Sequence, residues 1–265
     1  MAIAYKPVTA VLFDMDGLLI DSEGVYTKVV NEVLKPYGLE QGWDLKMKLM
    51  GMPEKKAVET LLANFWPPEK EGEIFAAECP FTIESFLSHR NMNLDEEFSK
   101  VKPMPGAQRL IDHLAKHNIP VCVATGSKTR NFKIKSSANP DLFAPFKGRA
   151  ICGDDERLKR GKPFADVFLL AAREGLGEPS KWQPIVREPG PEHDGTLKGG
   201  EEQFLVFEDA TGGVKAAKAA GMQVVWVPDP QLRAIADEKE VAATLTINSL
   251  EDFRPELFGL PPFDN

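Results

Sequence analysis

The sequence contains few of the residues that build disulfide frameworks or thiolate metal sites. It has three cysteines in 265 residues, and Cys79, Cys122 and Cys152 are widely spaced, without a CxxC or Cys/His pattern. This spacing argues against a disulfide framework and against a zinc site. Because Cys122 and Cys152 lie in apolar runs, we expect both to be small core residues.

Long apolar runs and an excess of basic charge are also missing. No segment approaches the ~18 apolar residues that a membrane span requires, and the first residues, MAIAYKPVTAVLF, have an apolar stretch too short for a secretory signal. Forty acidic against 32 basic residues give a formal charge of -8, which disfavours a nucleic-acid surface. We therefore expect a cytoplasmic monomer with neither membrane nor nucleic-acid partners.

Short, β-rich apolar runs alternate with helix-period segments over most of the chain. The runs are AVLF at 10–13, IPVCVAT at 119–125, RAICG at 149–153, FLVFE at 204–208 and VVWVP at 224–228. Helical spacing of apolar residues marks the segments 106–117, 164–174 and 212–220. Strands that alternate with helices predict an α/β fold with a Rossmann-like, doubly wound parallel sheet.

Residues 21–102 interrupt this alternation. They carry helical patterns at 24–37, 53–65 and 71–88 and no strand pattern, and they end at the turn-rich KPMPG. We predict an all-helical cap domain at 21–102, inserted into a catalytic core of residues 1–20 and 103–265. A second interruption, the polar segment 186–203, is rich in glycine and proline and predicts a mobile surface loop.

Polar residues follow four of the predicted strands. The first strand is followed by Asp14 and Asp16, the second by Thr125-Gly126-Ser127-Lys128, the third by Gly153-Asp154-Asp155 and then Lys162, and the fourth by Glu208-Asp209. Each residue type is ordinary in turns and helix caps. However, ligands of open parallel sheets bind beyond the carboxyl ends of the strands. Because these polar groups follow four different strands, they predict one shared site.

Carboxylates dominate this predicted site. Three or four of them in one cleft would resist ionisation unless a cation lay among them. Oxygen ligands without His or Cys favour Mg²⁺. A bound Mg²⁺, a lysine and the hydroxyl and amide donors of Thr125 and Gly126 would together compensate the charge of a phosphoryl group, so the residues predict phosphoryl transfer.

Four segments in order resemble the motifs of a known family. DMDGLLIDSE, VATGSK, GKPFADVF and VFEDATGGVKAAKAAGM are similar to those of the haloacid dehalogenase-like hydrolases, in the subgroup with a helical cap inserted after the first strand. The resemblance covers the whole chain. One departure is Ala165, since PFAD stands where the family more often has P-x-P-D, but Lys162 is retained.

The resemblance implies a role for each matching residue. Asp14 would be the nucleophile that forms an aspartyl-phosphate, and Asp16 would protonate the leaving alcohol and later activate water. Thr125 would hydrogen-bond the phosphoryl group with help from the Gly126 amide, and Lys162 would pair with Asp14 and the phosphate.

The resemblance also implies a metal set and a substrate-binding set. Asp14, Asp209 and the backbone carbonyl of Asp16 would hold Mg²⁺, and Glu208 would act through a metal-bound water. We expect Gly126, Ser127, Lys128 and Glu23 to contact the substrate or its phosphate. Residues 21–23 fit the start of a cap helix, with Ser22 as its N-cap, better than they fit a catalytic role, which leaves Glu23 free to face the substrate from the hinge.

The predicted substrate is a small phosphorylated metabolite. Asp16 favours a phosphatase or a phosphomutase over a dehalogenase, because an alkoxide needs a proton to leave and a halide does not. Glu54 stands where sugar phosphomutases of this type carry arginine, which favours hydrolysis, whereas Lys55 and Lys56 keep a hexose phosphomutase open as the alternative. A catalytically silent metabolite-binding protein is the third possibility.

Segments near the end of the chain resemble one group of enzymes within this family. GMQVVWVPD and the tail NSLEDFRPELFGLPPFD are similar to those of pseudouridine-5'-phosphatase-like enzymes, near relatives of glycerol-3-phosphate phosphatases. The resemblance implies a nucleotide such as pseudouridine 5'-monophosphate, or a sugar or polyol phosphate, as the substrate.

One histidine pair, His113 and His117, has helical i, i+4 spacing, and we expect a solvated helix face there rather than a metal site.

Overall fold

The computed structural model describes residues 5–49, 52, 54–176 and 200–264. The chain divides into two compact units, one formed by residues 1–21 and 101–265 and the other by residues 22–100. The boundaries predicted from the sequence lie close to these divisions. That the second unit acts as a cap stays a prediction.

The first unit contains a parallel sheet. Its strands in the described residues are β1 (Ala10–Phe13), β2 (Val121–Ala124), β3 (Ala150–Ile151), β4 (Phe204–Glu208), β5 (Gln223–Trp226) and β6 (Leu245–Thr246). Their order is β3-β2-β1-β4-β5-β6, and all neighbours are parallel. This order confirms the predicted α/β, doubly wound sheet. Strand β6 was not predicted, because two residues at a sheet edge give no apolar run.

Twelve α-helices accompany the sheet in the described residues. In the second unit they are α1 (Glu23–Leu34), α2 (Trp43–Leu49), α3 (Glu54–Phe65), α4 (Ile83–Met92) and α5 (Leu94–Phe98). In the first unit they are α6 (Ala107–Lys116), α7 (Thr129–Ser137), α8 (Pro140–Phe143), α9 (Asp166–Leu170), α10 (Thr211–Ala219), α11 (Pro230–Ile235) and α12 (Glu238–Val241). A π-helical turn, Ala171–Gly175, extends α9 to the predicted end of its segment.

Strand β1 lies at the centre of the core. All four of its residues are buried, as its unbroken apolar run predicts for a strand covered on both faces. Phe13 stacks on Phe207 of β4 with ring centroids 5.1 Å apart, and Phe207 meets the edge of Phe253 at 4.8 Å. Phe253 in turn contacts Phe258 at 5.8 Å. This aromatic column ties the last segment of the chain to the two strands that precede the acidic residues.

The helical unit has its own apolar core, in which Leu34, Leu62 and Phe86 are fully buried. The predicted helix over 71–88 was wrong for residues 71–82, since α4 begins at Ile83. Gly72 has φ +91°, and Thr82 is the N-cap of α4, in a capping box in which Thr82 and Ser85 exchange hydrogen bonds of 2.9 and 3.1 Å. These local signals stop helix formation before residue 82.

Three further expectations concern the surface of the chain. The predicted loop 186–203 lies outside the described residues except at 200–203, where Glu201–Gln203 form a 3₁₀ turn. Within the described ranges, no α-helix combines the length and apolar character needed to cross a membrane. The expected solvated histidine face was wrong for His113, which is buried with its Nε2 2.9 Å from the Pro261 carbonyl oxygen.

Candidate active site

The sheet topology fixes where the candidate site lies. The chain leaves β1 toward β2 and β3 and later returns to β4 on the other side of β1, so the strand order reverses between β1 and β4. Ligands of such sheets bind at this switch point. The Asp14 amide donates to the Phe207 carbonyl at 3.0 Å, which places Asp14 at the carboxyl end of β1, beside β4.

Three carboxylates meet at this point. Asp14, Glu208 and Asp209 each offer an oxygen within 4.8 Å of the others. Asp14 is 6% exposed and Glu208 0%. The backbone after β4 is held by the Trp226 indole, which donates to the Asp209 carbonyl at 2.8 Å. The predicted metal residues Asp14, Glu208 and Asp209 therefore form one acidic cluster.

Lys162 supplies positive charge to the cluster. Its Nζ donates to Asp14 Oδ1 and, at 2.5 Å, to Glu208 Oε1. Burial disfavours the ammonium, but the attraction of Asp14 and Glu208 outweighs it and raises the pKa of Lys162. Lys162 is therefore a charged partner of the predicted nucleophile.

One ammonium does not balance this much negative charge. Burial raises the pKa of Asp14 to about 7; Lys162 opposes this rise, and the nearby Glu208 and Asp16 add to it. A cation among the carboxylates would restore the ionised form. Carboxylate oxygens without nitrogen or sulfur donors are the ligands that hard divalent cations prefer, so the cluster fits such an ion.

The Asp16 carboxylate accepts hydrogen bonds from a different pair of donors. Its Oδ2 accepts from Ser127 Oγ at 2.6 Å, and its Oδ1 accepts from Lys135 Nζ at 2.5 Å. Gly17 adopts φ +80°, which turns the chain directly after Asp16. Sequence reasoning missed Lys135, because α7 has a polar sequence that resembles a solvated helix.

The loop after β2 carries the predicted phosphate donors. Thr125 is 1% exposed, and its Oγ1 accepts from the Ser127 amide at 3.0 Å. The Gly153 amide donates to the Ser127 carbonyl at 2.9 Å, and a Cβ at Gly153 would lie 2.3 Å from the Gly126 oxygen. Only glycine at position 153 allows this close approach, which holds the loop next to the end of β3.

Comparison with known proteins places these residues in a family. The sequence model of the haloacid dehalogenase-like hydrolases matches residues 8–221, which include Asp14, Thr125, Lys162 and Asp209. The chain belongs to the haloacid dehalogenase-like hydrolases. The fold and enzyme class implied by its four motifs are thereby confirmed.

Curated relatives of this haloacid dehalogenase-like hydrolase match it over nearly its full length. The (DL)-glycerol-3-phosphatase 2 of Arabidopsis thaliana is 40% identical over 97% of this chain and 94% of its own. A Drosophila melanogaster protein named "Probable pseudouridine-5'-phosphatase" is 34% identical over 97% and 96%. A solved structure of an Entamoeba histolytica HAD hydrolase, family IA, variant 3, matches with TM-score 0.69 at 21% identity and covers 95% of this chain and 97% of its own, which shows a shared fold.

Lys128 and Glu23, both predicted to contact the substrate, do not belong to the hydrogen-bonded groups around Asp14 and Asp16 described above. Lys128 is exposed at the N-cap position of α7. Glu23 begins α1 of the helical unit and forms an ion pair with Lys46 at 3.5 Å. Ser22 occupies the predicted N-cap position of α1, but its side chain makes no capping hydrogen bond. Substrate contact by Lys128 and Glu23 stays a prediction.

The helical unit of this hydrolase also carries Glu54, the residue that bears on the phosphomutase alternative. Glu54 begins α3, and its Oε1 accepts from Arg90 at 2.6 Å. The side chain of Arg90 is 11% exposed, so this pair is partly shielded from water. Glu54 therefore balances the charge of Arg90, and position 54 offers no positive charge to a phosphate.

Proposed function

We propose that this chain is a Mg²⁺-dependent phosphatase that hydrolyses a small phosphorylated metabolite through an aspartyl-phosphate. One observation carries the proposal: the buried Asp14 carboxylate, at the switch point of the sheet, lies against Lys162 and within reach of two further carboxylates. A buried acidic cluster of this kind is costly for the fold and is typical of a catalytic centre.

The proposed first step transfers the phosphoryl group to the protein. Asp14 Oδ attacks phosphorus, the bond from phosphorus to the ester oxygen breaks, and Asp16 gives its proton to the departing alkoxide. Lys162 and the Thr125 hydroxyl stabilise the phosphoryl oxygens while the charge is redistributed. In the second step Asp16 takes a proton from water, whose oxygen attacks phosphorus and frees Asp14.

The acidic cluster supports Mg²⁺ as the cofactor. Asp14 and Asp209 would hold the ion together with the backbone carbonyl of Asp16, and Glu208 would act through a bound water. When bound, Mg²⁺ would supply charge compensation for the phosphoryl oxygens and would favour the ionised form of Asp14. The protein then supplies the remaining polar groups from Thr125, Gly126 and Lys162.

The relatives support a polyol, sugar or nucleoside monophosphate as the substrate. The chain shares more identity with the glycerol-3-phosphatase of Arabidopsis thaliana than with the Drosophila protein. Glycerol 3-phosphate is therefore the first substrate to test, and pseudouridine 5'-monophosphate the second. We propose that Lys128 and Glu23 contribute to contacts with the substrate.

Asp14→Asn tests the proposed nucleophile. The amide keeps the shape of the side chain but cannot form an acyl phosphate, so phosphate release with Mg²⁺ should fall to the level of the uncatalysed control. Acid quenching with ³²P-labelled substrate should leave label on the wild-type protein and none on the variant. The exposed Asp141→Asn is the matched control and should keep full activity. Residual turnover by Asp14→Asn above a few per cent would refute the nucleophile.

The same preparation separates the three function classes. A screen of phosphate release across nucleoside, sugar and polyol monophosphates should find at least one good substrate. A phosphomutase would instead convert a hexose 1-phosphate, with a trace of bisphosphate, to the 6-phosphate faster than it releases phosphate. Binding of these compounds with no phosphate release from any of them would identify a silent binding protein.

A further inference from the structure

Lys135 is a buried charge in a helix whose other lysine is solvated. The Lys135 side chain is 0% exposed, whereas Lys133, two residues earlier on α7, is exposed. Lysine is almost never fully buried unless it is paired, because an ammonium loses its hydration there. Hydration of the helix surface therefore cannot explain why a lysine occupies position 135.

The partners of Lys135 belong to the candidate active site. Its Nζ donates to Asp16 Oδ1 at 2.5 Å and to Ser127 Oγ at 3.1 Å. The Ser127 hydroxyl in turn donates to Asp16 Oδ2 at 2.6 Å. The three side chains thus close a ring in which each oxygen of the Asp16 carboxylate has its own donor.

Stability alone does not account for this ring. Replacing both members of a buried ion pair by apolar residues of similar size is often neutral or stabilising, so a buried pair is weak evidence of a stabilising role. The ring does fix the orientation of one carboxylate in the loop after β1. A carboxyl group that transfers a proton must be held within about half an ångström of its productive position.

We propose that Lys135 is a positioning residue that acts through Asp16. Lys135 holds Oδ1 of Asp16, so Oδ2 is the oxygen that exchanges the proton. The hydrogen bond from the Ser127 hydroxyl fixes the orientation of Oδ2. The inference rests on the proposed phosphatase function. As Asp14 bonds to phosphorus and the ester bond breaks, the proton on Oδ2 passes to the departing alkoxide, and Oδ1 keeps its bond to Lys135 throughout.

The test uses substrates that differ in their need for this proton. The leaving group of an alkyl phosphate such as glycerol 3-phosphate is an alkoxide, which is a strong base and needs a proton. The leaving group of p-nitrophenyl phosphate is a stable phenolate, which needs little protonation. The measured quantity is kcat/KM, which covers the steps through phosphorylation of Asp14 and excludes later hydrolysis. Lys135→Met should lower kcat/KM for the alkyl ester roughly a hundredfold and for the aryl ester by no more than about fivefold.

Controls separate positioning from a structural role. Lys133→Met makes the same change at an exposed site of α7 and should leave both values unchanged. In an Asp16→Asn background, Lys135→Met should have less than about a threefold further effect, because both changes remove the same contribution. If Lys135→Met does not fold, Ser127→Ala removes the other donor without altering the packing of α7 and should show the same substrate dependence.

Each outcome has one meaning. Equal losses on both esters, or independent losses in the double variant, would overturn the positioning role while leaving the phosphatase function intact. Absence of phosphate release by the wild-type protein would instead overturn the proposed function. Unequal losses confined to alkyl esters, together with a non-additive double variant, are the expected result.

Discussion

Gly213→Ala should disrupt the acidic cluster although residue 213 carries no functional group. A Cβ at position 213 would lie 1.8 Å from Glu208 Oε1 and 1.9 Å from its Cδ, which is closer than non-bonded atoms can approach. Glu208 is fully buried, and its carboxylate pairs with Lys162 at 2.5 Å. Either the Glu208 side chain or the start of α10 must therefore move.

The size of the effect follows from the contact that is lost. Breaking a buried ion pair costs about 3–5 kcal/mol. Alanine in a helix recovers up to about 1 kcal/mol relative to glycine. The net loss of about 2–4 kcal/mol corresponds to a fall in Tm of roughly 5 to 15 °C for a domain of this size. Since Lys162 loses one of its two carboxylate partners, kcat/KM should fall by about a hundredfold.

Gly212→Ala is the matched control, because a Cβ at Gly212 meets no atom within 4 Å. The two variants differ by one position in the same turn of α10, so thermal unfolding and kcat/KM can be compared directly. Shortening Glu208 to aspartate in the Gly213→Ala background should recover part of both quantities. If Gly213→Ala is as stable and as active as Gly212→Ala, the assigned contact between Gly213 and Glu208 is wrong.

Two other changes should affect the site in predictable directions. Gly153→Ala would place a Cβ 2.3 Å from the Gly126 oxygen, so kcat/KM should drop at least about tenfold, whereas Gly161→Ala, with no atom within 4 Å, should leave steady-state kinetics unchanged. The pKa of Asp14 is raised from 3.8 to about 7, so the folded, metal-free protein holds a proton that the unfolded chain releases, and stability from this group falls as pH rises from about 4 to about 7. Mg²⁺ should therefore raise Tm more at pH 8 than at pH 5, and equal shifts at the two pH values would contradict this linkage.

The sequence contained most of the information needed for the sheet and the acidic cluster. AVLF and FLVFE correspond residue for residue to β1 and β4, because both strands are buried on both faces and thus have continuous apolar runs. Since the strands are parallel and adjacent, the polar residues after them had to meet at one edge. The positions of the strand ends therefore predict that Asp14, Glu208 and Asp209 lie together.

The elements missed by sequence reasoning depend on contacts across long stretches of chain. Lys135 is buried only because the loop after β1 supplies Asp16 as its partner, and a polar helix gives no local sign of such a contact. A weak signal was present, since Phe132 and Lys135 have helical i, i+3 spacing on α7 and Asn139, just after the end of the helix, is also buried. The start of α4 was misplaced because apolar periodicity outweighed the capping box at Thr82 and Ser85.

The central position of β1 has a consequence for how the protein is made. Val11 pairs with Val121 on one side and Leu205 on the other, so the strand that is synthesised first waits for both neighbours until most of the chain has left the ribosome. Residues 22–100 form a contiguous unit with their own apolar core and need no later segment for it. We expect this unit to fold first during translation, and the sheet, which is rich in contacts between distant residues, to form late and slowly.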